Sequence, residues 1–185
     1  MERIESHLQE AGQVILSTVG LSAQIAEVAQ ALITSLKAGG TIFWCGNGGS
    51  AADSQHLSAE LIGRYKHERK AISSIALTTD TSVITAISND FGFEFVFSRQ
   101  LEGLARPGDV LIALTTSGDS KSVINAVDKA QELGVTSVIL TSTRYSGNNG
   151  DFVLKVASEK TELIQHAHTA IGHILCELIE SSSLA

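Results

Sequence analysis

The sequence predicts an α/β protein: a doubly wound, five-stranded parallel sheet of flavodoxin-like order, preceded by an N-terminal helical extension. Three observations predict it. From residue 41 onward, short apolar runs alternate with helical stretches, the pattern of βα units joined by right-handed crossovers. The runs are almost continuously apolar, as strands covered on both faces are, and do not alternate apolar with polar. Two of them end in loops of small residues, GNGGS and TSGDS, which are the ligand-facing turns of such sheets. One domain is expected over 1–185, with the helices in 1–38 and the α/β core in 39–185.

Taken in order, residues 2–18 and 21–37 carry apolar positions at helical spacing: Ile4, Leu8, Val14 and Ile15, then Ile25, Val28, Ala31, Leu32 and Leu36. Lys37 in the last turn and the glycines at 39 and 40 stop the second helix. The strands read TIFWC, ISSIALT, DVLIALT, TSVILTS and DFVLKVA. Helices are expected at Ser50 to Gly63, Asp119 to Leu133 and Thr161 to Ile179. The link TRYSGNNG between the fourth and fifth strands is too polar and glycine-rich for one.

Composition removes several classes of function. At 185 residues, 43% hydrophobic and with a single proline, the chain can bury a real core and is not disordered. A net charge of −7 without a dense Lys/Arg face excludes a nucleic-acid partner, which needs a basic footprint. Cys45 and Cys176 make no disulfide framework and read as buried thiols. The opening MERIESHLQEAGQVIL has charges throughout, so neither a secretory signal nor a membrane span is expected; the protein is expected in the cytoplasm, with no membrane partner.

In the flavodoxin-like order the first and third strands are neighbours, so their two loops face each other at the switch point where ligands bind. A glycine loop opening a helix, with the hydroxyls of Thr115, Thr116, Ser117 and Ser120 opposite, suits a phosphate. Gly46-x-Gly48-x-x-Ala51 also fits a dinucleotide fingerprint, with Asp80 as the ribose acid. Asp80 lies further along than that motif expects, and a dinucleotide needs neither the Ser/Thr loop nor a His/Glu pair. No lysine follows the glycines, which excludes a nucleotide P-loop.

His56 and Glu60 stand one turn apart on the first core helix, about 40° around its axis, among apolar neighbours. The last helix, TELIQHAHTAIGHILCELIE, adds Gln165, His166, His168 and His173. Two histidines and a carboxylate are a common zinc constellation.

Four separated stretches, CGNGGSAADSQHLSAELIGRY, ISNDFGFEFVFSRQ, GDVLIALTTSGDS and LIQHAHTAIGHILCELIE, resemble the phosphoheptose isomerase branch of the sugar isomerase (SIS) domain family, in order and over nearly the whole chain. The resemblance implies conversion of sedoheptulose 7-phosphate to a manno-heptose 7-phosphate for lipopolysaccharide precursors, bound zinc, and homotetramers with sites near subunit interfaces. It implies His56, Glu60, Gln165 and His173 as zinc ligands, and Glu60 and His173 as the catalytic pair. Asn47, Gly48, Gly49 and Ser50, with Thr115, Thr116, Ser117, Ser120 and Gln165, would hold the phosphosugar, and Asn89 and Asp90 would contact its hydroxyls. His173 is left with two roles, metal ligand or proton donor. The family commonly has Arg-Ile-Gln-Glu where this chain has Leu163, Ile164, Gln165 and His166, and serine at Thr115. Gln165 and His173 are also about 12 Å apart along a straight helix, whereas His166 and His173 share a face within about 20°. The same family implies two other readings: a non-catalytic adaptor for a protein such as the replication initiator, and a sugar-phosphate sensor.

Overall fold

The computed structural model describes residues 1–147 and 149–182. Alternate residues of β1 (Ile42–Gly46) face opposite layers, and that division organises the molecule. Ile42 and Trp44 point into a core shared with α1 (Glu2–Ser17), α2 (Ser22–Lys37), α3 (Gly49–Ile62) and α7 (Thr161–Glu180). Phe43 and Cys45 point into a second core formed with α5 (Ser98–Leu104) and α6 (Lys121–Glu132). Every residue of β1 and of β3 (Val110–Leu114) is buried, which is why these strands read as unbroken apolar runs.

The five strands, completed by β2 (Ser74–Ala76), β4 (Thr136–Ser142) and β5 (Phe152–Val156), lie parallel in the order β2-β1-β3-β4-β5. This is the flavodoxin-like doubly wound order. β1 and β3 pair from Ile42 with Val110 to Gly46 with Leu114. Their carboxyl ends therefore finish level, and the loops that follow leave the sheet side by side.

Most elements fall within two residues of expectation, and two regions differ. β2 keeps only three residues of ISSIALT, because it is an edge strand that pairs along Ile42 to Trp44 alone. The stretch 81–104, where the sequence pattern predicts no helix, forms α4 (Thr81–Asp90), a single 3-10 turn at Phe93–Phe95, and α5. Asp80 starts α4, its carboxylate accepting the Val83 N–H at 3.0 Å. That carboxylate is a helix cap, so the ribose role weighed for it falls away.

α1 and α2, joined by a 3-10 turn at Thr18–Leu21, are together long and apolar enough, by length and composition, to cross a membrane. In the fold that stretch is broken at the turn. Its buried residues, among them Ala11, Val14, Val28 and Leu32, pack into the first core.

Candidate active site and metal centre

The glycine loop is shaped by two different demands. Gly48 precedes α3 at φ 58°, a conformation side chains rarely adopt. At Gly49 the reason is proximity: a Cβ there would lie 2.3 Å from the Gln165 side-chain amide, which reaches over from α7. Asn47 donates its amide to Ser122 Oγ at 2.9 Å, tying this loop to the first turn of α6. Opposite it, Thr115 Oγ1 accepts the Gly118 N–H at 3.1 Å, and the Thr116 carbonyl accepts the Ser142 hydroxyl at 2.9 Å. These bonds hold Ser117 and Ser120 half-buried beside the positive end of the α3 dipole, a setting suited to an anionic oxygen.

Two turns along α3, the side chains of His56 and Glu60 meet His173 of α7. The Nε2 atoms of His56 and His173 are 2.8 Å apart with their rings at 82°. His56 Nε2 lies 3.6 Å from Glu60 Oε1. One ligand atom from each of the three falls within 4.8 Å of the others. Two imidazole nitrogens bound to one tetrahedral zinc, each about 2.0–2.1 Å from it, stand about 3.3 Å apart. Opening the histidine pair by about 0.5 Å would reach that spacing, so the donor set fits a zinc-like ion. The His56 side chain is 48% exposed, leaving the centre open to a small ligand.

Close packing brings the two helices together here. Gly172, next to His173, faces Leu57, next to His56; a Cβ on Gly172 would lie 2.3 Å from Leu57 Cδ1. The Tyr65 ring stacks on His173, with centroids 5.5 Å apart and planes at 22°. Asp53, one turn before His56, accepts the Thr169 hydroxyl at 3.0 Å through Oδ1. Its buried Oδ2 has no partner among the described residues. Burial holds the Asp53 carboxyl above the usual carboxylate range, against the Thr169 bond and the charges of His56, His166 and His173.

The family model described as "SIS domain" matches residues 7–142. A phosphoheptose isomerase of Akkermansia muciniphila is 51% identical over 163 residues, 86% of each chain. The chain belongs to the SIS domain family. Within it, the phosphoheptose isomerase structures from Neisseria gonorrhoeae and Francisella tularensis superpose with TM-scores of 0.90 and 0.93 at 37% and 33% identity, each covering 98% of both chains.

In this SIS domain the residues singled out in the sequence are distributed unevenly. His56, Glu60 and His173 converge. Asn47, Gly48, Gly49, Ser50, Thr115, Thr116, Ser117 and Ser120 lie on the two facing loops. Gln165 sits against Gly49, at the loop end of α7. Asn89 and Asp90 are exposed at the end of α4 and bond to each other at 2.8 Å. The residues of the 81–104 segment that border the glycine loop are Ile84, Phe93, Val96 and Phe97, across a cavity of about 140 Å³. His166 is exposed and outside the converging trio. His168 is fully buried, its Nε2 bonded to the Thr141 carbonyl at 3.1 Å, and burial pushes its pKa down to about 4. It is a neutral core residue. A larger cavity of about 470 Å³, lined by Phe91, Phe95 and Arg99, holds neither loop nor trio.

Sequence reasoning missed Gly172, Tyr65 and Asp53. An isolated glycine inside the apolar helix stretch AIGHIL was a signal for close packing. Nothing local marked the other two.

Proposed function

We propose that this chain is an aldose–ketose isomerase that interconverts sedoheptulose 7-phosphate and D-glycero-D-manno-heptose 7-phosphate through an enediol(ate). One observation carries the reading: His56, Glu60 and His173 converge beside a phosphate-suited pair of loops, in a chain that shares 51% identity with a phosphoheptose isomerase.

The phosphate is held by the Gly48–Ser50 turn and the hydroxyls of Thr115, Thr116, Ser117 and Ser120, with Asn47 bracing the two loops. Gln165, lying over Gly49, contacts the same phosphosugar; for it to join the metal, its amide must leave the glycine turn. Asn89 and Asp90 would have to turn from each other to serve the sugar hydroxyls. Glu60 is the base. Its carboxylate takes a proton from C1 of the ketose, and the C–H electron pair forms the C1=C2 double bond while charge moves onto the C2 oxygen. Return of that proton to C2, with transfer of the O1 proton to the C2 oxygen, leaves an aldehyde at C1 and a hydroxyl at C2. His56, Glu60 and His173 would hold a zinc ion, which when bound would supply positive charge to polarise the carbonyl. With its Nε2 facing His56, His173 would help hold the ion; in metal-free protein the same nitrogen would be available to protonate a sugar oxygen.

The reading extends to a homotetramer in the cytoplasm whose product feeds lipopolysaccharide precursors. Support for assembly comes from α1, where Ile4, Leu8 and Leu16 are at least 63% exposed, an apolar row that another copy would cover. The adaptor and sensor readings are not favoured, since neither needs a complete trio.

The deciding experiment is turnover of sedoheptulose 7-phosphate by metal-stripped protein with and without zinc. Zinc-dependent appearance of an aldose phosphate supports the reading. Glu60→Gln should lower kcat by about 10²–10⁴-fold, the scale of general-base catalysis. Full activity in that variant would remove Glu60 as the base.

A further inference from the structure

The segment after α3 is fastened to the end of α7 by one buried carboxylate. Glu180 Oε1 accepts the Tyr65 N–H at 3.0 Å and Arg69 Nε at 3.1 Å. Its Oε2 accepts the N–H groups of Lys66 at 2.7 Å and His67 at 3.0 Å. The Arg69 guanidinium, in turn, donates to the carbonyls of Glu60 at 2.6 Å and Leu61 at 2.8 Å, the last turn of α3. Both side chains are 1% exposed.

A buried ion pair is a poor device for stability, because desolvation offsets most of the attraction; its worth lies in fixing one arrangement. Here the arrangement includes both metal-bearing helices. Arg69 binds the backbone of Glu60 itself. Glu180 lies seven residues beyond His173, within about 20° of the same helix face. It bonds the backbone of Tyr65, whose ring stacks on His173. Lys66 reinforces the segment from outside through Glu177 at 2.8 Å.

We propose that Glu180 and Arg69 are positioning residues: they hold the Tyr65 ring against His173 and the last turn of α3 under Glu60, and so set the metal-binding geometry. The proposal rests on the trio being the metal centre of the proposed function. Histidine ligands are ordinarily oriented by a partner on the ring, and loss of such support costs about 10–100-fold in metal affinity or activity. Here the support is a stacked ring held through its backbone.

The test uses the full chain. In Glu180→Gln the amide NH₂ faces N–H donors that the carboxylate had accepted, and the Arg69 charge is left unbalanced, so segment 65–67 is released. The histidine Cε1–Hε1 NMR signals of metal-free protein, assigned with His173→Gln, report the stack through the ring current of Tyr65. The expected result is loss of that displacement in Glu180→Gln, with cobalt or zinc affinity weakened about 10–100-fold. Should Glu180→Gln fail to fold, as judged by the emission of Trp44, Tyr65→Leu removes the ring and leaves the ion pair. It should lose the His173 displacement and weaken metal binding in the same way, and Tyr65→Phe should retain the displacement. Folded variants with unchanged His173 signal and unchanged metal affinity overturn the proposal. Wild-type protein without isomerase turnover, but with these shifts intact, overturns the functional reading and leaves the positioning pair standing.

Discussion

Replacing Gly172 with alanine puts a methyl group between the two helices that bear His56 and His173, where Gly172 faces Leu57. The new carbon would lie 2.3 Å from Leu57 Cδ1 and 2.7 Å from Cδ2. Ordinary carbon contacts are about 3.5–4.0 Å, so the approach is about 1.2–1.7 Å too close. Leu57 is fully buried, so any turn it makes is against packed neighbours. Alanine in place of a helical glycine gains about 1 kcal/mol of helix propensity, and overpacking costs about 1–3 kcal/mol. The expected net loss is therefore at most about 2 kcal/mol, a fall in Tm of up to about 8 °C for a chain of this size. The site should suffer more. A displacement of about 1 Å at the reacting groups can cost about 10²-fold in rate. Thermal unfolding, zinc affinity and kcat measured on one preparation separate the two effects. A Gly172→Ala protein with wild-type Tm and full turnover would show that Leu57 gives way, and would refute the dependence of the trio's spacing on Gly172.

Three further outcomes follow from the same geometry. His168 has a pKa lowered in the fold to about 4 from the ordinary 6.5, so the unfolded chain binds the extra proton first as pH falls. Stability is therefore complete above pH 6.5 and lost downward through that window, by about 3 kcal/mol at about 1.4 kcal/mol per pH unit. Urea unfolding of His168→Gln, whose amide can still donate to Thr141, should show a flatter acid slope. Asp53 has the opposite sign: its raised pKa means that the ionised form weakens the fold above the ordinary carboxylate range, so Asp53→Asn should gain stability at pH 7 relative to pH 4. Trp44 donates its indole N–H to Ser74 Oγ at 2.8 Å inside the core. Trp44→Phe should cost about 1–3 kcal/mol for the lost volume and bond, read by circular dichroism, since no tryptophan would remain.

What was legible in the sequence follows from how local each cause is. β1 and β3 were readable because burial on both faces forces an unbroken apolar run, and the doubly wound order was implied by the alternation of runs and helices. The two loops were readable because Gly48 and the hydroxyls near Thr115 advertise close approach to a ligand. His56 and Glu60 were readable because four residues put them on one face. Residues 81–104 were not, since α4 buries none of its own residues and shows no clean stripe. Tyr65 and Glu180 were invisible for a different reason: their link spans 115 positions of chain and uses backbone N–H groups, which every residue has. The three histidines of α7 looked alike in sequence. Only tertiary burial separates His168, packed on Thr141, from His173, open to the site.

The N-terminal helices, which the sequence presents as an appendage, have a closer connection to the chemistry than their position suggests. α1 and α2 rest on one side of α7, and His173 points from another. One continuous helix of twenty residues therefore carries both the contacts of α1 and α2 and the side chain of His173. A change in how α1 and α2 seat on α7 is expected to alter the spacing of the His56 and His173 nitrogens, which the histidine NMR signals would read.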